Sequence, residues 1–493
     1  MTLEITRRHG KALSPTGAPP PEAPDWIDAI DNPYLHGLFA PVREEVPMVE
    51  LEVTRGQLPA ELHGAYFRNG PNPRFAPRNR YHWFDGDGLV HGMWFEQGRV
   101  RYRSRHVATE ARAMEAEQGA TIWPGVLGPF DFSLPLGPLK DTGNTDLVHF
   151  GGELLALWYE SGRLHRMDPR TLEPLGHGPI PGLDARISAH SKVDPRTGDF
   201  LVFGYGDRPP FMHYGVVRAD GTVHHTDITL PGPRRPHDLG VTPRYSILHD
   251  FPVFFSEELF QRTGKRVPLF HPDVPTRYGV IPRFGTDADV QWFSFEPCYM
   301  LHVVNCWEEG DEVVMVGCRT ADPSLKPDKR DGPIAAMLSG LKLRACLHEW
   351  RMNLRTGETS ERQLSEVNAE FPMIDDRRLG LPNQFAYEQL IPYEIPATFD
   401  ALIKVDIRTG ETVARYDYGE GVFGSESPFC PRPGGTDEDD GWVVSFVTDT
   451  RSWSSACLVF DARAIEAGPI AEITLPQRLP AGFHATWVPG EAL

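Results

Sequence analysis

The chain has 493 residues, of which 40% are hydrophobic, 24% charged and 11% aromatic, a composition typical of globular proteins and not of disordered or fibrous ones. Its 47 glycines and 47 prolines exclude a fold of long helices, because both residues break helix interiors, and they favour many short strands joined by tight turns. The formal net charge of −19 repels phosphate backbones, and no basic run offsets it, so nucleic acid is not an expected partner.

Residues 1–31 are predicted to form an extended leader on the surface, since they carry a cluster of prolines that ends at Pro24. They contain no apolar segment of the secretory type, and no stretch of the chain approaches the roughly 18 apolar residues that a membrane-spanning helix needs. A cytoplasmic location is therefore expected.

Residues 119–139 are apolar but rich in glycine and proline, so no regular element is expected there. One interpretation is a buried plug. The other is an exposed patch that meets a membrane or an apolar ligand. The apolar side chains of that patch would be Trp123, Val126, Leu127, Phe130 and Phe132.

A short motif recurs along the chain: an apolar residue, Asp or Asn, any residue, Arg and Thr, in three copies followed by Gly. The copies are Met167–Thr171, Val193–Gly198, Met352–Gly357 and Val405–Gly410. Each predicts a hairpin, because Asp or Asn caps a turn and Gly accepts a positive φ. The copies lie 26, 159 and 53 residues apart, which fits a unit of about 50 residues, as in the blades of a β-propeller. That period predicts some nine units, or seven if the connecting loops are long, in one domain over residues 32–493.

Other features favour structural roles. Residues 333–342 are predicted to form a short helix over one end of the propeller. The six cysteines form no Cys-x-x-Cys pair and mostly lie in apolar stretches, which predicts buried free thiols. The acidic run 437–440 is interpreted as a solvated turn rather than a cation site.

The 19 histidines are the most informative chemical feature. A propeller brings strands from every blade to one axis, so metal ligands can come from distant residues, and imidazole suits iron, copper, zinc and nickel. The local signatures of helix-borne zinc sites, phosphate-binding loops and serine hydrolases are absent from the sequence. Composition alone does not select the ligands.

Six segments of the sequence, taken in order, resemble motifs of the carotenoid cleavage oxygenase family. They are Asn32–Pro41, Gly64–Pro73, His82–Gly92, Glu370–Asp375, Glu438–Gly441 and Leu475–Pro489. The resemblance implies an all-β fold, a seven-bladed propeller with a dome of loops and helices over one face. The dome would include residues 119–139 and 333–342.

The resemblance also implies an Fe(II) ion held by His190, His237, His302 and His484, with separations of 47, 65 and 182 residues that place each on a different blade. His249 lies where the family has an ordinary strand residue. Glu160, Glu370 and Glu426 match carboxylates that orient the ligating rings, although Glu160 follows one extra residue. Thr145 matches a threonine beside an open iron position.

The implied reaction is cleavage of a conjugated alkene by O2 into two carbonyl products, with an apolar tunnel holding the substrate. Substrate uptake from a membrane surface would explain the apolar patch. A carotenoid or apocarotenoid is favoured over a phenolic stilbene, because Trp158 and Tyr159 stand where stilbene enzymes of the family carry a lysine. No obligate protein partner is expected. A binding scaffold without chemistry and a calcium-dependent propeller hydrolase stay open as alternatives from other classes.

Overall fold

The computed structural model describes residues 20–183, 185–265, 268–324, 344–392 and 398–493. Two α-helices lie in this part of the chain, α1 (Glu110–Gln118) and α2 (Glu257–Thr263). Short 3-10 helices cover Asp25–Ala29, Pro33–Leu35, Gly37–Phe39, Trp83–Asp85, Asp287–Asp289, Asp376–Arg378, Ile465–Ala467 and Gly490–Ala492.

Strands make up most of the regular structure. In the first half of the chain they are β1 (Val49–Leu51), β2 (Arg55–Gly56), β3 (Gly64–Arg68), β4 (Leu89–Glu96), β5 (Arg99–His106), β6 (Asp146–Phe150), β7 (Glu153–Leu157), β8 (Leu164–Met167), β9 (Pro174–Gly178), β10 (Lys192–Val193), β11 (Phe200–Tyr205), β12 (Phe211–Val217), β13 (Val223–Thr229), β14 (Gly240–Val241) and β15 (Tyr245–Asp250). They continue with β16 (Val253–Phe255), β17 (Pro268–Phe270), β18 (Thr276–Pro282), β19 (Gln291–Phe295), β20 (Tyr299–Glu309), β21 (Glu312–Thr320), β22 (Cys346–Asn353), β23 (Thr359–Gln363), β24 (Ala369–Met373), β25 (Phe385–Leu390), β26 (Ala401–Asp406), β27 (Glu411–Asp417), β28 (Val422–Phe423), β29 (Phe429–Pro431), β30 (Gly441–Asp449), β31 (Ser454–Asp461), β32 (Ala471–Thr474) and β33 (Ala485–Pro489).

Seven antiparallel sheets form the blades of a β-propeller, which confirms the predicted fold class. Their strand orders are β33-β3-β4-β5-β1, β6 to β9, β10 to β13, β14-β15-β18-β19, β20 to β23, β24 to β27, and β30-β31-β32-β2 with β28 and β29 beside β30. The hairpin β16–β17 stands apart from the blades.

The ring is closed twice by pairing between the two ends of the chain. The C-terminal strand β33 pairs with β3, in a register that sets Pro489 opposite Gly64. Strand β2 pairs with β32 in the last blade, with Arg55 opposite Glu472. Both pairings satisfy backbone groups that would otherwise lie at open sheet edges.

The innermost strands of neighbouring blades contact one another around the axis: β33 meets β6, β6 meets β10, β14 meets β20, and β20 meets β24. Side chains on or just before these strands therefore converge, although they are far apart in sequence. Apolar side chains from adjacent blades fill the spaces between the sheets.

The recurring turn motif forms the predicted hairpins. Asp168, Asp194, Asn353 and Asp406 each accept a hydrogen bond from the backbone N–H two residues later. Three copies join the third and fourth strands of a blade, whereas the copy at Asp194 joins the first and second strands, β10 and β11. This difference explains the spacing of 26 residues, and the long connections between blades explain why seven units are found and not nine.

Other expectations have mixed outcomes. The six cysteines are free thiols and most are buried, as predicted. The acidic run is not simply solvated, since Glu438 accepts hydrogen bonds from two backbone N–H groups, and Asp439 and Asp440 pair with Lys404 and Arg432.

In the described part of the leader, Ile27 packs into a cluster with Tyr34 and Phe39. The rest of the leader, residues 1–19, and the helix expected at 333–342 lie outside the described residues. No helix in the described ranges is long and apolar enough to cross a bilayer.

Candidate metal centre

Four histidine rings meet where the innermost strands converge. His190 precedes β10, His237 precedes β14, His302 lies in β20 and His484 precedes β33, so each comes from a different blade. Ligand atoms of the first three lie within 4.8 Å of one another. The His484 ring centroid is 4.4 Å from that of His190 and 4.7 Å from that of His302. All four rings predicted as ligands are thus brought together.

Buried carboxylates hold two of these rings. Glu370 Oε2 lies 2.5 Å from His302 Nδ1, and Glu426 Oε1 lies 3.1 Å from His484 Nδ1. The other Glu426 oxygen accepts a hydrogen bond from the backbone N–H of Ala485. A carboxylate on Nδ1 fixes the proton there and leaves Nε2 free to bind a metal. Glu370 and Glu426 therefore each contact a ring that is predicted as a ligand, and their support of a bound metal stays a prediction.

The donor set fits a divalent transition metal. The Nε2 atoms of His190 and His302 are buried and have no hydrogen-bond partner within the described part of the chain. Burial lowers the pKa of His190, His237 and His302 well below its usual value, so these rings are neutral donors at pH 7. Burial opposes a charge on His484 as well, but the adjacent Glu426 raises its pKa overall.

Buried acidic groups around the rings also favour a cation. Burial raises the pKa of the Glu370 carboxyl to about 8, and it raises the pKa of Glu426 and of Asp146 as well. A bound divalent ion would favour the charged form of these carboxyls, because an opposite charge nearby offsets the cost of burial. The carboxylates and the metal would then stabilise each other.

The chain is similar in sequence to known proteins over most of its length. A family model described as retinal pigment epithelial membrane protein matches residues 39–489. The chain is 36% identical to a carotenoid 9,10(9',10')-cleavage dioxygenase of Crocus sativus, over 93% of its own length and 90% of the relative's. It is 32% identical to a carotenoid cleavage oxygenase of Mycobacterium tuberculosis, with 93% and 98% covered. The chain belongs to the carotenoid oxygenase family.

Solved structures agree with this assignment. A lignostilbene dioxygenase of Pseudomonas brassicacearum superimposes with a TM-score of 0.81 at 28% identity, over 93% of this chain and 99% of that one. Cobalt-substituted apocarotenoid oxygenase of Synechocystis gives a TM-score of 0.80 at 26% identity, over 91% and 97%. The family and the enzyme class predicted from these sequence segments are confirmed.

In this oxygenase, Glu160 is placed beside the segment that carries His237. Its Oε2 atom accepts a hydrogen bond of 2.5 Å from Arg235, two residues before that histidine. Arg235 also lies over the Phe255 ring, 4.2 Å from its centroid. The direct support of a ligating ring by Glu160 stays a prediction.

Thr145 is buried and touches two parts of the site. Its carbonyl accepts a hydrogen bond of 3.3 Å from the His484 backbone N–H. Its hydroxyl accepts one of 3.2 Å from the Tyr159 backbone N–H and donates one of 3.0 Å to Asn144. The residue thus joins the segment of His484 to the segment of Tyr159, while a role beside an open metal position stays a prediction.

Three residues of the site were not found from the sequence. Asp146 follows Thr145 directly, and its carboxylate accepts a hydrogen bond of 3.0 Å from the His190 backbone N–H. Lys192 and Asp238 lie close behind His190 and His237 and pair with each other. For Lys192 and Asp238 the available signal was a position within two residues of a predicted ligand, but an ordinary strand residue gives the same signal. Asp146 is far in sequence from all four histidines and carried no such signal.

Phe371 is a fourth residue that sequence reasoning missed. Its ring stacks on His484 at 4.8 Å and 21°, and lies 5.0 Å from the His302 ring. Its φ of 56° is rare for a bulky residue and costs about 1–3 kcal/mol, which the surrounding contacts must offset. The ring therefore covers one side of the histidine cage, which is the group of four rings of His190, His237, His302 and His484.

The rings of Tyr159, Phe84 and Phe483 form a further series of contacts, the aromatic wall, which ends next to His484. Tyr159 contacts Phe84 at 4.9 Å, and Phe84 contacts Phe483, next to His484, at 5.1 Å. Trp158 is buried and contacts Tyr159 at 5.9 Å. Of the two positions that the sequence associated with substrate, Tyr159 thus lies in this wall and Trp158 lies behind it.

The apolar loop at 119–139 divides into buried and exposed parts. Phe130, Phe132 and Phe260 of α2 form a triangle with ring centroids 6.3–6.5 Å apart, and 65% of Phe132 is exposed. Trp123, by contrast, is buried and donates a hydrogen bond to the Gly137 carbonyl, so it is not a surface side chain. Val126 and Leu127 are half-buried, and Leu127 packs against the Tyr34 cluster. The loop is therefore buried in part and exposed in part, and its contact with a membrane or an apolar ligand stays a prediction.

Proposed function

We propose that the protein is a non-haem Fe(II) dioxygenase that cleaves a conjugated carbon–carbon double bond of a carotenoid or apocarotenoid with O2, giving two carbonyl products. The observation that carries this proposal is the cage of four imidazoles from four blades, with two rings held by buried carboxylates. The relatives named as carotenoid cleavage dioxygenases support the substrate class.

Iron is the metal that we assign to the cage. Imidazole nitrogens suit iron, whereas calcium prefers oxygen ligands, which argues against the hydrolase alternative. When bound, the iron supplies the redox chemistry that activates dioxygen. His190, His237, His302 and His484 would hold the ion, and Glu370 and Glu426 keep the rings of His302 and His484 in the required orientation and tautomer.

The aromatic wall would bind and orient the polyene. Tyr159, Phe84 and Phe483 form a continuous series of ring contacts that ends beside His484. Phe371 covers the cage from another side. Planar rings pack well against a planar conjugated chain, and an apolar wall excludes water from the reacting bond.

A phenolic stilbene is the second candidate substrate, because the lignostilbene dioxygenase has a similar fold. A lysine that recognises the phenol of a stilbene would have to lie near the aromatic wall. The nearest lysine before Trp158 and Tyr159 in the sequence is Lys140. It pairs instead with Asp87 at 2.7 Å and Glu115 at 2.6 Å. This pairing favours the polyene.

The triangle of Phe130, Phe132 and Phe260, in which Phe132 is exposed and the other two rings are half-buried, is proposed as a peripheral contact with a membrane that holds the insoluble substrate. Burying one phenylalanine is worth about 1.5–3 kcal/mol, so Phe132→Asp should weaken binding to phosphatidylcholine liposomes roughly 10- to 100-fold. Leu175→Asp is the matched control, since Leu175 is 50% exposed and lies on β9. Equal liposome binding by Phe132→Asp and the wild type would remove the patch from the proposal.

The reaction itself is tested by incubating Fe(II)-loaded protein under O2 with β-carotene, an apocarotenal or resveratrol and identifying aldehydes by mass spectrometry. We expect aldehydes from a polyene that depend on both iron and O2. Products from resveratrol alone would assign the protein to stilbene cleavage. Iron-loaded protein that converts none of the three would favour a binding scaffold.

A further inference from the structure

A buried ion pair lies directly behind the histidine cage. Lys192 Nζ donates a hydrogen bond to Asp238 Oδ1 and another, of 3.3 Å, to the carbonyl oxygen of His190. The Asp238 side chain is only 2% exposed, and that of Lys192 is 19% exposed. A pair so enclosed is costly to desolvate, and its further hydrogen bonds to the backbone help to offset that cost.

The pair connects three of the four ligand segments. Lys192 is two residues after His190, and Asp238 follows His237. The second oxygen of Asp238 accepts a hydrogen bond of 2.7 Å from the backbone N–H of Val303, the residue after His302. One lysine and one aspartate therefore link the innermost segments of three different blades.

Two of these segments have irregular backbones. His190 has a φ of 64°, in the left-handed region that non-glycine residues rarely occupy. Both of its backbone polar groups are held by charged side chains, the N–H by Asp146 and the carbonyl by Lys192. These two bonds therefore help to hold the backbone in that conformation.

Strand β20 is irregular at the other segment. Its pairing with β21 shifts register on both sides of Val303, next to His302. Such irregularities re-aim a side chain at the cost of regular backbone pairing. The bond from Val303 to Asp238 holds the backbone at this point.

We propose that Lys192 and Asp238 are positioning residues of the metal centre, which hold His190, His237 and His302 in place before metal binds. This inference rests on the metal site of the proposed function and adds that the cage is preformed by a charged crosslink. It does not depend on the identity of the substrate.

A second lysine–aspartate pair provides a matched control. Lys404 Nζ lies 2.8 Å from Asp439 and donates a hydrogen bond of 3.1 Å to the Ala462 carbonyl. Its side chain is 6% exposed, and the pair likewise joins β26 to a segment of the neighbouring blade. No cage histidine belongs to the segments that it joins, so its loss should affect stability alone.

The test is titration of Co(II) into metal-free wild type, Lys192→Met and Lys404→Met, followed by the visible d–d absorption of bound cobalt. Lys192→Met should weaken cobalt binding about 10- to 100-fold, as loss of an outer-shell partner typically does, and change the d–d spectrum. Lys404→Met should keep the wild-type affinity and spectrum.

Equal affinity and an unchanged spectrum in Lys192→Met would overturn the inference. An equal loss in Lys404→Met would overturn it too, because the effect would then be general destabilisation. If Lys192→Met does not fold, Lys192→Gln, which keeps a hydrogen-bond donor without the charge, is measured against the same criteria. Failure of the wild type to bind cobalt would instead refute the metal site of the proposed function.

Discussion

His302 and His249 are both buried histidines on strands of neighbouring blades, yet their surroundings differ. The His302 ring has three imidazole neighbours at 4.7–5.3 Å and a glutamate on Nδ1. The His249 ring packs against Phe251 and Tyr278, and neither of its nitrogens has a hydrogen-bond partner among the described residues. Burial and an unpartnered nitrogen therefore do not identify a ligand. The convergence of other imidazoles and a carboxylate does.

The largest expected effect comes from removing His302, one of the four predicted ligands. His302→Ala should lower Fe(II) affinity by more than about 100-fold, beyond the usual effect of an outer-shell change, because a ligand itself is lost. Anaerobic titration with Fe(II) measures this effect.

His249→Phe is the control for that experiment, since a phenyl ring fits a site lined by Phe251 and Tyr278. It should bind iron like the wild type. If His249→Phe lost iron as His302→Ala does, the distinction between the two histidines would fail.

A smaller effect is expected from the carboxylate that orients His302. Glu370→Gln keeps the shape of the side chain but removes the charge that fixes the ring, so iron affinity should fall about 10- to 100-fold. Glu388→Gln is the matched control, because Glu388 is also buried and its pKa is raised by burial to about 8. Iron content and turnover should be unchanged in Glu388→Gln, and unchanged values in Glu370→Gln would remove Glu370 from the centre.

The smallest expected effect is on the stability of the folded protein at acid pH, through the protonation of His249. Burial lowers the pKa of His249 to about 3, whereas a free histidine has a pKa of about 6.5. The unfolded chain therefore binds a proton below pH 6.5 that the folded protein does not, and the folded wild type loses stability as the pH falls from 6.5 towards 3.

His249→Phe lacks this proton uptake. Its free energy of unfolding relative to the wild type should rise by about 1.4 kcal/mol per pH unit below pH 6.5. Urea unfolding of both proteins at pH 7 and pH 5 measures the difference. A difference that does not change with pH would show that His249 is protonated in the folded state.

The sequence was sufficient for the parts of the molecule that local chemistry determines. The turn residues Asp168, Asn353 and Asp406 indicated hairpins and a blade-sized period, because their side chains cap the turn in which they lie. The prediction of His190, His237, His302 and His484 as ligands came from the resemblance to the family's motifs and not from composition. Their common position reflects the closure of the ring, which no single segment encodes.

The parts of the site that could not be predicted from the sequence depend largely on contacts between segments that are distant in the chain. The pairing of Lys192 with Asp238 joins residues 46 apart, and the stacking of Phe371 on His484 joins residues from different sheets. Trp123 was assigned to an apolar patch because its neighbours in the sequence are apolar. Its indole N–H instead donates a hydrogen bond to the Gly137 carbonyl within the same loop, and the side chain is buried. Hydrophobic patterning without regular structure does not indicate which side chains face solvent.

The most direct test of the metal cage is X-ray absorption at the iron edge of protein loaded with Fe(II). The cage predicts one iron per chain with a nitrogen shell that fits four imidazoles, and a spectrum that is unchanged in His249→Phe. A shell dominated by oxygen ligands, or one with fewer than three imidazoles, would contradict it.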